Sequence, residues 1–440
     1  MEIAMSHRKA NRRDFLKSTA AGAAVAGTVS LAKASHAAGS DELKIALIGC
    51  GGRGTGAAIN ALNNAAGVRL KLVAMADAFD SRLEASLKAI SSRFPEQVDV
   101  PPERRFVGLG AYKDVMATDA DIVLLCTPPG FRPQQFEAAV AAGKHIFTEK
   151  PLAVDGPGIR RIQKANEQAK AKGVIVAVGH HLRHEVKHIE VMKRVHDGAI
   201  GKLKFLRAYF NSAGVWVRPR REGQTEMEYQ VMNWYYFTWL SGDHIVEQHV
   251  HDLDVCNWFM QDQHPIEAQG MGGRQFRIGP DYGEIFDHHA VEFTYPDGTK
   301  AYSYCRHTPN CWNSFSEHAH GTNGYVSVQG HGQAELVVDG REPQKWDRGP
   351  DGHQLEWDHM LAALRDGEKY NEVDTRLPAT VMAIMGRMAT YSGKIVTWGD
   401  VVQSELDLSP SGYTWDSEPQ PKPGPDGIYP CAVPGITKAW

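Results

Sequence analysis

The sequence predicts an α/β protein that begins with a doubly wound parallel sheet. An apolar run at residues 43–48 leads directly into a glycine-rich turn at 49–54, and a helical pattern follows at 55–63. A second apolar run at 70–75 ends at Asp77, and further strand and helix patterns alternate as far as residue 148. Strands that alternate with helices in this way are typical of a parallel sheet covered by helices on both faces.

Length and composition place the chain among globular proteins of two or three domains. It has 440 residues, of which 42% are hydrophobic and 23% charged, and these values exclude general disorder. The formal net charge of −4 lacks the basic excess of a nucleic-acid binder, so no nucleic-acid partner is expected. Six cysteines in so long a chain do not make a disulfide scaffold. Cys305 and Cys311 are the one close pair, and the sequence leaves open whether they are bonded.

The N-terminal segment, residues 1–38, is interpreted as a twin-arginine export signal. Arg12 and Arg13 precede an Ala- and Gly-rich apolar run at 19–31 and small residues at 32–37. That run is too short to span a membrane, which takes about 20 apolar residues, and no later segment is long and apolar enough. We therefore expect a periplasmic or otherwise exported protein without a membrane span. A nucleotide cofactor in such a protein would have to stay bound through each turnover.

Gly49, Gly51 and Gly54 form a G-x-G-x-x-G turn between the first strand and its helix. The first glycine permits the tight turn, the second lets a pyrophosphate approach the backbone, and the third allows close packing of helix on strand. The N-terminus of the helix then offers free amides to phosphate groups. The pattern predicts a dinucleotide site, although a glycine-rich turn in another α/β protein would look similar.

Polar residues at the carboxyl ends of the strands complete this candidate cofactor site. Asp77 stands where an acid accepts hydrogen bonds from the adenosine ribose, and it favours NAD because a 2′-phosphate would meet like charge. NADP stays open as an alternative. The candidate cofactor contacts are Gly49, Gly51, Gly52, Arg53, Gly54, Asp77, Thr127, Pro128, Glu149 and Lys150.

These motifs, together with Glu149-Lys150-Pro151 and the segments 179–183 and 247–254, resemble the Gfo/Idh/MocA family of oxidoreductases. The resemblance runs from about residue 43 to about residue 397. It implies a Rossmann domain followed by an α+β domain on an open, mainly antiparallel sheet that carries substrate and oligomer contacts. We place the Rossmann domain at 39–160 and the second domain at 161–398, with a late helix at about 380–392. A homo-oligomer, dimer or tetramer, is expected, and the Pro- and Gly-rich arm 409–440 is expected to wrap a neighbour or the domain seam.

The resemblance also implies the catalytic residues. Its lysine, here Lys150, lies beside the nicotinamide and bonds the hydroxyl that is oxidised, where a positive charge stabilises developing alkoxide. His251, in the helical pattern 245–259, is the candidate general base. The usual D-x-x-x-H pattern is replaced by Glu247-x-x-x-His251, so Glu247 would orient the base or bind a neighbouring hydroxyl. A surface lysine and a histidine satisfied in a helix–sheet interface are the structural alternatives.

The second domain also contains candidate substrate contacts. Aromatic and basic segments at 215–221 and 233–239 suit a pyranose, which has an apolar face and a polar rim. The same rings could instead fill the core or a subunit interface. The histidine pairs match no metal-ligand framework, so no metal is predicted. The candidate substrate contacts are His181, Arg183, Trp234 and Tyr236.

Three functions remain open at this stage. The leading hypothesis is an exported NAD(P)-dependent oxidoreductase that transfers a hydride from a ring carbon of a sugar or glycoside to a tightly bound nicotinamide cofactor. The second is a redox-neutral, NAD-dependent glycosidase that oxidises, eliminates and reduces again. The third is a non-catalytic sugar or nucleotide binder, which the intact glycine turn, Lys150 and His251 argue against.

Overall fold

The computed structural model describes residues 42–440. The predicted export signal lies outside the described residues. The first sheet contains β1 (Glu42–Ile48), β2 (Arg69–Asp77), β3 (Arg105–Val107), β4 (Ile122–Leu125), β5 (His145–Thr148) and β6 (Val176–Val178). Its strands are all parallel, in the order β3-β2-β1-β4-β5-β6. The strand order reverses between β1 and β4, which is where open sheets of this kind form their ligand crevice.

Helices cover both faces of this sheet. They are α1 (Gly52–Leu62), α2 (Asp80–Arg93), α3 (Tyr112–Met116), α4 (Arg132–Ala141) and α5 (Gly156–Lys172). Ile45 and Leu47 of β1 belong to one buried cluster, whereas Ala46 and Ile48 belong to another on the opposite face. The uninterrupted apolar run of β1 follows from burial on both sides, and the predicted doubly wound sheet is confirmed.

The nucleotide domain extends further than the sequence indicates. The sequence places its end near residue 160 and assigns the next strand to the second domain. In the structure, α5 crosses back over the sheet and β6 pairs in parallel with β5. The domain therefore continues to Val178, because α5 is a crossover helix that returns the chain to the same sheet.

The second domain is built on a long, mainly antiparallel sheet, as predicted. Its strands are β7 (Leu203–Ser212), β8 (Glu267–Gly273), β9 (His288–Thr294), β10 (Lys300–His307), β11 (Ser314–Gly321), β12 (Gly324–Gln329), β13 (Ala334–Val338), β14 (Gln344–Trp346) and β15 (Val396–Thr397). They lie in the order β14-β13-β12-β11-β7-β10-β9-β8-β15. Within this sheet β7 and β10 pair in parallel, and the other neighbours run antiparallel.

The remaining helices follow the first domain along the chain, and some of them pack on the second sheet. They are α6 (Val186–His196), α7 (Glu226–Met232), α8 (Thr238–Ser241), α9 (His244–Glu247), α10 (Val250–Phe259), α11 (Gly352–Asp366), α12 (Val373–Ser392) and α13 (Trp398–Gln403). Single-turn 3-10 helices lie at Pro95–Gln97, Pro102–Arg104, Pro129–Phe131, His181–His184, Trp234–Tyr236 and Pro280–Tyr282. The late helix α12 begins before the predicted residue 380 because it tolerates Pro378 inside its N-terminal part. It packs on β8, β9 and α10.

The C-terminal arm lies along the seam between the two domains. Two rings of the arm pack on the first domain: Tyr413 lies 5.7 Å from Phe131, and Trp415 lies 5.4 Å from Phe79. Tyr429 is buried against Phe237 of the second domain. The arm therefore binds its own chain across the seam.

Two further features of the fold concern membranes and cysteines. No helix within residues 42–440 is long and apolar enough to cross a bilayer. Cys305 is buried in β10, Cys311 is exposed, and both are free thiols.

Candidate active site

The glycine turn forms an open cradle at the start of α1. Gly49 has a φ of +97°, and a Cβ there would lie 2.6 Å from the backbone of Cys126 and Thr127. A Cβ on Gly54 would lie 1.9 Å from the carbonyl oxygen of Gly49. At Gly51, by contrast, a Cβ would meet only a nitrogen of Arg82, 3.9 Å away. Two glycines are therefore required for packing, whereas Gly51 keeps the backbone open to a ligand.

The N-terminus of α1 is free to bind phosphate. Gly51 is its N-cap residue, and no side chain caps the helix. The first amides of the helix therefore point, with the positive end of its dipole, into the cleft above the turn. This arrangement fits the pyrophosphate of a dinucleotide.

Asp77 at the end of β2 is fixed beside this turn. Its two carboxylate oxygens accept hydrogen bonds from the amides of Cys50 at 2.7 Å and Phe79 at 2.9 Å. Burial raises the pKa of Asp77, and the two amides oppose that shift. The carboxylate lines the cleft and retains lone pairs, so it fits the role of acceptor for the ribose hydroxyls.

Both domains form the walls of this nucleotide cleft. The first domain contributes the glycine turn, Asp77, Thr127 and Pro128. The second domain contributes Trp216, Arg218, Val231 and Trp234 from the segment that precedes α8. A ligand on the glycine turn would therefore be covered by the second domain.

A second cleft adjoins the first and contains the predicted catalytic residues. Arg53, Cys126, Thr127 and Trp234 line both clefts, which makes the two continuous. Residues that reach only the second cleft include Glu149, Lys150, His181, Glu247, Gln248, His251 and His353. The structure thus brings Lys150, Glu247 and His251 together next to the nucleotide cleft.

Lys150 follows β5 and reaches across to the second domain. Its Nζ donates hydrogen bonds to the carboxylate of Glu247 at 3.1 Å and to the backbone carbonyl of Glu247 at 2.6 Å. The Lys150–Pro151 peptide is cis. Two acceptors on one residue fix the ammonium group in the cleft.

A break in the helical segment that contains Glu247 and His251 leaves free the carbonyl to which Lys150 donates. The sequence predicts one helix over 245–259, with Glu247, His251, Asp254 and Trp258 on one face. In the structure α9 ends at Glu247 and α10 begins at Val250. The interruption leaves the Glu247 carbonyl outside the regular ladder of helical hydrogen bonds, and the lysine caps it. Asp254 does not line the cleft, because its carboxylate binds Arg183.

His251 is held neutral beside the lysine. Burial lowers the pKa of His251 well below its ordinary value, and the charges of Lys150 and His180 act in the same direction. Its Nδ1 has no hydrogen-bond partner among the described residues. Because Nδ1 is buried, Nε2 is the nitrogen available to the cleft, and a neutral imidazole can accept a proton there, which is what a general base must do.

Glu149 and Arg53 form a buried ion pair below the cleft. The Nε of Arg53 lies 2.7 Å from Oε1 of Glu149. Burial would raise the pKa of Glu149, but Arg53 and Lys150 hold it below its ordinary value. Glu149 therefore orients Arg53, which lines both clefts.

Comparison with known proteins supports this interpretation of the first domain. Residues 43–180 match the family model for "Oxidoreductase family, NAD-binding Rossmann fold", GFO_IDH_MocA. These residues are therefore similar to the NAD-binding domain of the Gfo/Idh/MocA oxidoreductases. The match covers the glycine turn, Asp77, Glu149 and Lys150.

Curated relatives match over part of this chain and part of their own length. Inositol 2-dehydrogenase of Rhizobium meliloti is 32% identical over 136 residues, which are 31% of this chain and 36% of that protein. 1,5-Anhydro-D-fructose reductase of Ensifer adhaerens is 29% identical over 34% of this chain and 40% of that protein. 2,7-Anhydro-N-acetylneuraminate hydratase of Mediterraneibacter gnavus is 27% identical over 51% of this chain and 55% of that protein. The matched region thus spans well under two thirds of each relative.

Solved structures share the fold of both domains. Aldose-aldose oxidoreductase from Caulobacter crescentus, complexed with glycerol, superposes with a TM-score of 0.64 at 18% identity, over 81% of this chain and 99% of that one. Levoglucosan dehydrogenase, in complex with NADH and levoglucosan, gives a TM-score of 0.65 at 14% identity, over 81% and 99%. At these identities the likeness shows a common two-domain fold.

Two predicted substrate contacts lie elsewhere in the fold. The guanidinium of Arg183 is held by Asp254 and Asp262, each at 2.7 Å, and it does not line the cleft. Tyr236 is buried, and its hydroxyl donates to the Val215 carbonyl at 3.2 Å. It lines neither cleft, because successive residues of the 3-10 turn Trp234–Tyr236 point in different directions.

The other two predicted contacts do reach the cleft, where they meet residues that the sequence analysis missed. Trp234 lines both clefts, and His181 lies 4.7 Å from His251 between ring centroids. His353 of α11 stacks on His181 at 3.9 Å. Gln248 lies between Glu247 and His251 in the sequence and also lines the second cleft. No motif marks His353, whereas the position of Gln248 within the 247–254 segment was a usable signal.

One buried cluster has the composition of a metal site. Asp243, His244 and His289 lie together, with His244 Nδ1 at 2.7 Å and His289 Nε2 at 3.2 Å from the Asp243 carboxylate. Tyr391 also donates to this carboxylate, at 2.7 Å. Ligand atoms about 2 Å from a common zinc ion would stand further apart than 2.7 Å in tetrahedral geometry. These side chains therefore form a hydrogen-bonded cluster in the core.

Proposed function

We propose that this protein is an NAD-dependent oxidoreductase that oxidises a hydroxyl-bearing ring carbon of a sugar or glycoside. The observation that carries the proposal is the cluster of Lys150, Glu247 and His251 in a cleft that adjoins the nucleotide cleft. The curated relatives act on polyols and sugar derivatives by name, which supports the same substrate class here.

The residues of the cluster divide the chemistry of alcohol oxidation between them. When bound, NAD supplies the hydride acceptor. Lys150 donates a hydrogen bond to the reacting hydroxyl and stabilises negative charge on its oxygen. The neutral His251 accepts the hydroxyl proton, while Glu247 holds the lysine in place.

The simplest test of this function is a direct assay of NADH formation with a defined panel of sugars and polyols. The purified protein, at a concentration high enough to detect a single turnover of bound cofactor, would be mixed with NAD and with myo-inositol, levoglucosan, D-glucose or 1,5-anhydro-D-glucitol, and NADH formation would be followed by absorbance. Turnover of at least one member by the wild type, with loss in Lys150→Met, supports the proposal. Turnover that survives Lys150→Met at the wild-type rate would contradict the assigned role of the lysine.

We further propose that the cofactor is NAD and that it stays bound. Asp77 opposes a 2′-phosphate, and the cover over the cleft is fastened by the C-terminal arm, whose Pro421 carbonyl accepts a hydrogen bond from Gln230 at 2.6 Å. A captive cofactor suits an exported protein, and the Arg12-Arg13 segment supports export through the twin-arginine route. Mass spectrometry of the nucleotide released on denaturation would identify it; recovery of NADP instead of NAD would overturn the assignment.

A redox-neutral glycosidase is the second candidate, and two further histidines favour it. Oxidation of one ring carbon acidifies the neighbouring C–H bond, so elimination of a glycosidic substituent needs a further base to take that proton, and a neutral histidine can accept it. His181 and His353 lie in the same cleft, and burial lowers the pKa of both, which keeps them neutral. Release of 4-nitrophenol from nitrophenyl glycosides without net NADH would favour this function over simple oxidation.

A homo-oligomer, dimer or tetramer, is also proposed. Tyr304, Trp312 and Tyr325 are exposed large rings of the second domain, on or next to the strands of its sheet. Exposed rings in such number are typical of surfaces that contact a partner. Light scattering coupled to size-exclusion chromatography would give the mass directly, and a 48.5 kDa particle would contradict the proposal.

A further inference from the structure

We propose that Gln248 is a substrate-binding residue whose amide N–H groups are aimed at an oxygen of the substrate by a relay from Arg277 through His307. This inference deepens the proposed function and rests on it for the identity of the ligand as a sugar or polyol. Its structural part, the direction of the hydrogen bonds, stands on the following contacts alone.

The relay begins at Arg277, which is buried. Its Nη1 donates to the carbonyl of Phe286 at 3.0 Å, and its Nη2 contacts Nδ1 of His307. A guanidinium group can only donate hydrogen bonds. Nδ1 of His307 must therefore be the unprotonated nitrogen of the ring.

The tautomer of His307 then determines the orientation of Gln248. With Nδ1 as acceptor, the proton of the neutral ring is on Nε2, which lies 2.6 Å from Oε1 of Gln248. Burial lowers the pKa of His307 well below its ordinary value, so the neutral ring persists at working pH. The hydroxyl of Tyr235 donates to the same oxygen at 3.2 Å. Two donors on one atom identify it as the amide oxygen.

The amide nitrogen of Gln248 is left for the cleft. It has no hydrogen-bond partner among the described residues, and it is not among their buried atoms that lack one. The side chain lines the cleft with Glu247, His251 and Trp234. Gln248 thus presents N–H donors next to the proposed base, where an oxygen on the carbon next to the reacting one would accept them.

The amide donors of Gln248 require a hydrogen-bond acceptor on the ligand at this position. A hydroxyl or ring oxygen of a sugar or cyclic polyol can accept from the amide, whereas a deoxy carbon cannot. A site built to bond an oxygen discriminates against the analogue that lacks it, because its own donor is then left unpaired. We expect Gln248 to donate a hydrogen bond to that oxygen and to contribute to substrate affinity more than to the rate of the chemical step.

The kinetic test compares Gln248→Glu and Gln248→Met with Gln269→Glu, which makes the same charge change at an exposed position on β8. On the panel sugar that the wild type oxidises best, both Gln248 variants should raise KM by about tenfold to a hundredfold and change kcat by less than about threefold. Gln269→Glu should leave both values unchanged. A loss of kcat with unchanged KM would overturn the binding role.

The spectroscopic test uses the full chain and does not depend on turnover. In a sample with ¹⁵N-labelled histidine, His307, assigned by its loss in His307→Phe, should show an unprotonated Nδ1 and a protonated Nε2. In a sample with ¹⁵N-labelled glutamine, the side-chain NH₂ signal of Gln248 should shift on addition of myo-inositol or levoglucosan. The opposite tautomer, or a Gln248 signal that neither probe moves, would overturn the relay.

The two tests separate failure of this inference from failure of the proposed function. A protein that oxidises no panel member but whose Gln248 signal shifts with a probe would refute the oxidoreductase and support the binding residue. An active enzyme whose kinetics and Gln248 signal ignore the substitutions and probes would refute the binding residue and leave the oxidoreductase in place.

Discussion

The residues of the candidate active site act through the positions of charges. Lys150 and Glu247 come from different domains, yet two hydrogen bonds hold the ammonium group beside the proposed base. The carboxylate and the carbonyl of Glu247 orient the lysine. The positive charge of the lysine lowers the pKa of His251. In the proposed mechanism, one lysine both stabilises the reacting oxygen and lowers the pKa of the base.

Removal of the Lys150 charge is expected to lower kcat strongly and to have little effect on folding. Lys150→Met should lower kcat by about 10²- to 10³-fold, because a preorganised donor to a developing oxyanion is lost. Lys164→Met, at an exposed position of α5, is the matched control and should keep the wild-type kcat. Circular dichroism and initial rates on the best panel sugar would check both, and equal rates for the two variants would contradict the role.

The pH dependence follows from the direction of the pKa shift at His251. A general base works in its deprotonated form, which exists above its pKa, and burial with the charges of Lys150, His180, His353 and Arg53 lowers that pKa. The acidic limb of kcat/KM should therefore lie below about pH 6.5, the ordinary value for histidine. In Lys150→Met the limb should move to higher pH, because one of the positive charges is gone. A limb that stays in place would show that another group titrates.

At the scale of elements, the C-terminal arm fastens the cover of the nucleotide cleft. Trp415 packs on Phe79, which lines the cleft. The backbone carbonyl of Trp415 accepts a hydrogen bond from Thr225, the residue before α7. The arm thus ties the first domain to the segment of the second domain that covers the nucleotide. Weaker contacts between the arm and the first domain should let this segment of the second domain open more often above the nucleotide cleft.

Trp415→Ala should therefore speed release of the nucleotide. A pair of packed rings contributes about 0.5–1.5 kcal/mol, so the dissociation rate of NAD should rise by about twofold to tenfold. Ile436→Ala removes an exposed side chain of the same arm and is the control. Stopped-flow exchange of bound NADH, followed by its fluorescence, measures both rates. An unchanged rate in Trp415→Ala would exclude the arm from cofactor retention.

The same elements show why the sequence predicts part of the site and not the rest. The glycine turn, Asp77 and Lys150 directly follow strands, so their positions are set locally by the parallel sheet. His353 enters the cleft from α11, a helix distant in sequence, and nothing local indicates that it stacks on His181. The break after Glu247 is equally invisible, because its local pattern remains helical while tertiary contacts interrupt it.

At the scale of the whole molecule, the site exists only where the two domains meet. The first domain supplies the glycine turn and Lys150, and the second supplies Glu247, His251 and the cover over the nucleotide. Binding of a nucleotide between them should therefore stabilise the folded chain as a unit. A ligand at about 100 times its Kd stabilises by ~2.7 kcal/mol, provided that it does not bind the unfolded chain.

Two glycines of the same turn should separate this binding energy from the stability of the fold. A Cβ on Gly51 points into open space, and the residue has a φ of −74°, so Gly51→Ala should fold with a Tm near that of the wild type. The methyl group would occupy the approach to the pyrophosphate, and added NAD should no longer raise the Tm. A Cβ on Gly54 would lie 1.9 Å from the Gly49 carbonyl oxygen, so Gly54→Ala should lower the Tm without any ligand. Thermal unfolding of nucleotide-stripped protein with and without NAD distinguishes the two effects. An NAD-dependent rise in Gly51→Ala equal to that of the wild type would place the pyrophosphate away from this turn and contradict the assigned cofactor site.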